Sequence, residues 1–164
     1  MSAQPQFSSP GGDPDVAARQ RRLRLLARAD RAQLEAALAA LPASPSWRRL
    51  KPAETGLAMV RARAGGAGQR FNLGEMTLSR CVVTLEGDAQ AGVMGVGYVQ
   101  GRDQRRAELV AVFDALSQDR AGAETVERLL ITPVERQLAA DRARRAAKVA
   151  ATKVDFFTLV RGED

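Results

Sequence analysis

The sequence predicts an α+β fold, and three observations carry the prediction. Leu34, Leu38 and Leu41 recur at steps of four and three, while Leu109, Val112, Phe113 and Leu116 fall at i, i+3, i+4 and i+7. Both are helical periods. Between them, residues 57–63, 75–85 and 93–100 carry the alternating, β-branched character of strands. The links between these three runs are short, which favours an antiparallel meander over crossover connections.

Taken in order, residues 1–14 are rich in Pro, Gly and Ser and have no periodicity. They read as a disordered tail, leaving residues 15–164 as a single α+β domain. Asp13 followed by Pro14 offers an N-cap and a first-position proline. Val16, Leu23 and Leu26 then share one helical face, and the register weakens at Ala29-Asp30. Asp30 caps a second helix that Pro42 and Pro45 end, so the first block is two short helices with a tight corner.

The strand block begins with LAMVRAR, residues 57–63. In EMTLSRCVVTL, residues 75–85, Met76 and Leu78 share one parity, whereas Cys81, Val83 and Leu85 share the other. That change predicts a bulge near Arg80. VMGVGYVQ, residues 93–100, holds two glycines where another element approaches closely. The EGDAQAG link, residues 86–92, reads as a hairpin loop at the surface.

Helices return with Asp103 as an N-cap and an amphipathic stripe from Leu109 to Leu116. A short helix over residues 124–130 follows. Thr132-Pro133-Val134-Glu135 is a helix-start signal, with capping threonine, proline at the first position and glutamate at the third. That helix runs to about residue 152 with Val134, Leu138 and Val149 inward. VDFFTLV, residues 154–160, is apolar on both parities, so a closing strand there joins the sheet or is sealed by a partner chain.

The chain has 164 residues, no histidine and one cysteine, Cys81. These absences exclude, within one chain, a Cys/His zinc site, a four-cysteine iron–sulfur cluster, a disulfide framework and a Ser-His-Asp triad. Alternating Val and Thr around Cys81 mark it as a buried small apolar side chain. No apolar run approaches the roughly 18 residues of a membrane helix, and the first residues lack a secretory pattern. The expectation is a soluble cytoplasmic protein with no membrane association.

The net charge is +6. Of the 25 basic residues, three are Lys51, Lys148 and Lys153 and the other 22 are arginine. Residues 16–31 hold six arginines and one acid, Asp30; residues 133–153 hold six basic residues and two acids, Glu135 and Asp141. Two such helices suit nucleic acid, an acidic partner protein or plain solvent.

AGGAGQRFNLGE, residues 64–75, places three glycines in four positions ahead of Arg70. A P-loop needs Gly-Lys-Ser/Thr after four residues, and the dinucleotide fingerprint needs a third glycine where Phe71 stands; both fail. Two readings remain open. Backbone N–H groups of Gly65, Gly66 and Gly68 form an anion-binding concavity over which Arg70 closes, or the glycines supply a turn between strands.

Four blocks carry a longer resemblance: Glu54-Thr55-Gly56-Leu57; Gly65-Gly66-Ala67-Gly68-Gln69-Arg70-Phe71; Tyr98-Val99-Gln100-Gly101-Arg102-Asp103; and Asp155-Phe156-Phe157-Thr158-Leu159-Val160-Arg161-Gly162. In this order and spacing they resemble the PhnG family, the G subunit of the bacterial carbon–phosphorus lyase system. The resemblance runs from about residue 16 to the C-terminus. Ala67 departs from it, standing where threonine is expected, and the N-terminal tail is extra.

The resemblance implies a subunit of the α-D-ribose 1-methylphosphonate 5-triphosphate synthase, in which an alkylphosphonate displaces adenine from MgATP. It implies H, I and J subunits and an ATPase-like L subunit as partners, with glycosyl transfer attributed to the I subunit. MgATP is then a substrate of the complex, and no cofactor is expected on this chain. No residue here is expected to be catalytic, no metal ligand is expected, and the isolated chain is expected to be inactive. Gly65, Gly66, Gly68, Arg70, Arg102 and Arg161 are the candidates for meeting substrate or a partner subunit. No nucleic acid is expected on this reading. The alternative function is a small basic nucleic-acid-binding protein; a third reading is a lone acid/base enzyme using Glu54 or Glu75.

Overall fold

The computed structural model describes residues 14–87 and 92–152. Helices α1 (Pro14–Leu26) and α2 (Arg31–Ala39) open the chain around a tight corner. Asp30 makes the corner: its side chain accepts from Gln33 N at 2.8 Å, and the Gln33 side chain accepts in return from Asp30 N at 2.9 Å. This reciprocal capping box is worth about 1 kcal/mol.

Strands β1 (Ser46–Arg63), β2 (Arg70–Glu86) and β3 (Met94–Gln100) form one antiparallel sheet in the order β1-β2-β3. The meander is as the sequence predicts, but β1 and β2 are far longer than expected. Residues 46–56 contain Arg48, Arg49, Lys51, Pro52 and Glu54, a composition that reads as loop. They form strand because β1 is an edge, where proline leaves no ladder bond unmade. The expected bulge is displaced. β2 runs in unbroken register with β3 through Arg80↔Tyr98, and the extra residues lie across from it in β1, between Arg49 and Glu54. Ser79 takes the core-facing position beside Cys81, so Met76 and Leu78 belong to the opposite face.

Helix α3 (Gln104–Leu116) crosses the sheet. The approach is close because Gly95 and Gly97 lack side chains. A Cβ on either would stand 1.9 Å from a carbonyl oxygen of α3, that of Ala111 or Ala107. This is the close approach that the two glycines predict. The amphipathic stripe is corrected. Every residue from Ala107 to Ala115 is buried, because the sheet covers one side of α3 while α1 and α2 cover another. Phe113, Leu109, Val112, Leu34, Leu26 and Ile131 lead the resulting core.

Helix α4 (Arg120–Val126) leads through a π-helical segment, Glu127–Ile131, straight into α5 (Thr132–Ala151). The predicted helix does begin at Thr132 with Pro133 in its first turn, but the capping role of Thr132 is corrected. Thr132 has helical torsions and its N–H donates to Glu127 O, five residues back. Proline has no N–H and its ring displaces the carbonyl four residues earlier. One widened turn absorbs that misfit while the helix continues. Val149 is corrected as well: it is 70% exposed, since only the first part of α5 lies on the core. The tail through Asp13, most of the 86–92 link and the closing strand at 154–160 lie outside the described residues.

No helix among the described residues is long and apolar enough to cross a membrane. The described part is thus two layers, helices on one face of a sheet. No described helix lies on the second sheet face. There Tyr98 and Met94 are exposed, and Val82, Val96, Leu78 and Met76 are half-buried.

Candidate functional site

The glycine stretch caps the β1–β2 hairpin. Ala64–Gly66 form one 3-10 turn with Gly65 at φ 59°, the left-handed region that favours glycine. Gly68 N–H donates to Ala64 O at 3.0 Å, and a Cβ on Gly68 would sit 2.8 Å from that oxygen. Arg63 closes the turn by donating to Gly68 O at 3.1 Å. Gly68's amide thus faces inward, the geometry of a turn between strands. Arg70 opens β2 directly opposite Arg63 and is exposed.

Arg102 lies elsewhere. It follows Gly101, whose N–H donates to Thr77 O at 2.9 Å and whose φ is 95°. At about 3.3 Å per residue, the stretch of β2 from Arg70 to Thr77 separates the two arginines by roughly 20 Å. The structure does not gather them into one site, and Arg161 lies outside the described residues. Asp103, beside Arg102, is a cap: it accepts from Arg106 N at 2.9 Å and is gripped in a fork by Arg31 at 2.7 and 2.9 Å. Arg31 is the main cause holding the Asp103 carboxyl below its ordinary value, with the Arg106 amide adding to it.

Around α3 stands a set of arginine–carboxylate joints whose partners local sequence pattern does not reveal. Glu108 and Asp114 are 3% and 1% exposed. Asp114 accepts from Arg19 Nε and Nη2 at 3.0 and 2.6 Å, and from Val96 N at 2.9 Å. One carboxylate therefore ties α1, α3 and β3 together. Glu108 accepts from Trp47 Nε1 at 2.9 Å, from Arg49 at 2.8 and 3.0 Å, and from Arg105 at 3.2 Å. Burial pushes the Glu108 carboxyl up, but these donors outweigh it and hold the group below its ordinary value. Arg106 donates to Ala27 O and Ala29 O at 2.6 and 2.7 Å, finishing the end of α1. The signal was present as two acids inside the otherwise apolar AELVAVFDAL run.

These joints change the reading of the basic helices. Arg19 pairs with Asp114, Arg21 with Glu127 and Glu135, and Arg31 with Asp103. Half of the six arginines in residues 16–31 therefore hold the fold together. Glu54 is likewise engaged: Lys51 first, then Arg80, hold its carboxyl below the ordinary value. A general base for neutral pH is tuned in the other direction. Cys81 is wholly buried, with its thiol pushed up by desolvation, as an inert core residue. Among the described residues, no group of three His, Cys, Asp or Glu is placed to hold a metal ion.

Residues 17–162 match the model of the family described as phosphonate metabolism protein PhnG. The chain is also 47% identical, over 152 residues, to the alpha-D-ribose 1-methylphosphonate 5-triphosphate synthase subunit PhnG of Rhizobium meliloti (strain 1021). That alignment covers 93% of this chain and 94% of the relative. The chain belongs to the PhnG family.

Proposed function

We propose that the chain is the G subunit of an α-D-ribose 1-methylphosphonate 5-triphosphate synthase, acting in assembly and support of a catalytic centre that partner subunits complete. The complex takes MgATP and an alkylphosphonate and yields the ribose-1-phosphonate 5-triphosphate and adenine. Its partners are H, I and J subunits and an ATPase-like L subunit. No cofactor is assigned to this chain; MgATP enters as substrate of the complex, and its site is the cytoplasm.

The observation that carries the reading is the uncovered apolar surface. The sheet face that receives α3 continues beyond the N-terminus of α3 into a two-stranded arm. There Leu57 and Met59, in register with Thr77 and Glu75, are 64% and 50% exposed. At the arm's end Phe71 and Leu73 are exposed too, and Tyr98 and Met94 stand on the open second face. Exposed apolar side chains of this kind, one group on the arm and one on the second sheet face, mark protein interfaces. The internal use of Arg19, Arg21 and Arg31 removes half of the arginine charge in residues 16–31 from the nucleic-acid alternative.

The test is co-expression of the tagged chain with the H, I and J subunits of the same source. The expected result is stable co-elution, with the lone chain prone to self-association and without synthase activity. A well-behaved monomer that ignores those subunits and binds DNA with a steep salt dependence would overturn the reading.

A further inference from the structure

A cleft of about 680 Å³ opens between α1 and the long helix at its π-helical turn. It is lined by Arg22, Arg128 and Arg136, with Glu124, Glu127, Thr132 and Pro133 between them. Its size lies in the range of small-molecule pockets, roughly 300–1,000 Å³. The charges within it do not cancel. Glu127 is already paired with Arg21, and Glu124 with Arg120. Among the described residues, no carboxylate pairs with Arg22, Arg128 or Arg136. Arg22 Nε is shut off from solvent and has no hydrogen-bond partner. A donor closed to water is closed to a ligand in the cleft as well, so Arg22 meets one only through its terminal nitrogens.

We propose that this cleft binds the phosphate chain of a polyphosphate ester. Three guanidinium groups on three different segments surround one opening. Each presents paired donors that suit phosphate oxygens, and a chain of several phosphates offers enough oxygens for all three. Thr132 adds a hydroxyl at the edge. The widened turn at Glu127–Ile131 sets Arg128 and Arg136 on the rim of the same opening, and π turns recur at functional sites for this kind of reason. The site is separate from Arg70 and Arg102. A link to the ribose 5-triphosphate of the synthase rests on the proposed function above; the cleft itself does not.

The test titrates the purified full chain with inorganic triphosphate and with ATP, by calorimetry at fixed ionic strength. The expected result is saturable one-to-one binding of both, with inorganic triphosphate displacing ATP. The combined Arg22→Gln, Arg128→Gln and Arg136→Gln variant should weaken it at least about 10-fold while circular dichroism is unchanged, because none of the three arginines pairs with a described carboxylate. The pair Arg144→Gln and Arg145→Gln, further along α5, should leave binding within about 2-fold after the ordinary effect of net charge. Absence of saturation, equal losses in the two variants, or displacement by a poly-glutamate peptide but not by triphosphate would each overturn the proposal. Failure of this titration leaves subunit co-elution untouched, and failure of co-elution leaves the titration untouched, so the two readings fall separately.

Discussion

Asp114 shows what one side chain does in this fold. Its carboxylate is buried and accepts from Arg19 on α1 and from the Val96 amide on β3. Asp114→Ala leaves that amide without an acceptor and Arg19 without a partner. Arg19 is 37% exposed, so water recovers part of its loss. The expected cost is about 2–3 kcal/mol, read as a lower urea midpoint with unchanged slope. Glu108 makes a pH prediction. Its folded pKa lies below the ordinary value of 4.5. Stability from its contacts is therefore complete above that value and is lost as pH falls from it through the folded pKa. Glu108→Gln should flatten the acid limb of stability below about pH 5, by at most about 1.4 kcal/mol per pH unit for one proton. A wild-type slope surviving in the variant would assign the acid limb to other carboxylates. The apolar run AELVAVFDAL hinted that both acids are buried, but their roles were not legible, because those depend on partners far away in sequence. Arg19 is 95 residues from Asp114, and Arg49 is 59 from Glu108. The caps at Asp30 and Asp103 were legible because their partners are three residues away.

Among the elements, helix α3 on strand β3 is the contact most sharply specified by sequence. Gly95 and Gly97 alternate on the face that meets α3, and their missing side chains set the distance. Gly97→Ala drives a methyl into the Ala107 carbonyl and the Ala111 amide, both backbone. Neither yields by a rotamer change. The expected loss is about 3 kcal/mol or more, visible as a thermal midpoint lowered by many degrees or as failure to accumulate folded chain. Gly56→Ala, with nothing within 4 Å of the added carbon, is the control that should change little. Local pattern fell short in two other elements for one reason: it does not see neighbours. Residues 46–56 read as loop by composition, yet pairing with β2 makes them strand. Thr132-Pro133 marks the start of α5 by local chemistry, yet Val134, Leu130 and Ile131 are all buried in the same core, so the backbone before it stays helical through a widened turn instead of breaking at a cap.

At the scale of the whole molecule, the layer count among the described residues bears on assembly. A two-layer fold buries one face of its sheet and must answer for the other. Here the second face carries Met94, Val96, Tyr98, Val82 and Leu78, and the arm beyond α3 carries Leu57, Met59, Phe71 and Leu73. Fold class was legible from periodicity, but this open surface was not, because alternating residues look the same whether a helix covers them or stops short. The arm separates folding from assembly experimentally. Leu57 and Met59 are exposed, so Leu57→Asp with Met59→Asp removes little burial and should shift stability by no more than about 1 kcal/mol. A subunit that docks this arm against an apolar surface would then meet two unpaired carboxylates, an arrangement costing several kcal/mol. The double variant should fold as before, self-associate less when expressed alone, and fail to co-elute with the other synthase subunits. Normal co-elution of a folded double variant would remove the arm from the interface and leave assembly to the second sheet face, where Tyr98→Asp is the corresponding probe.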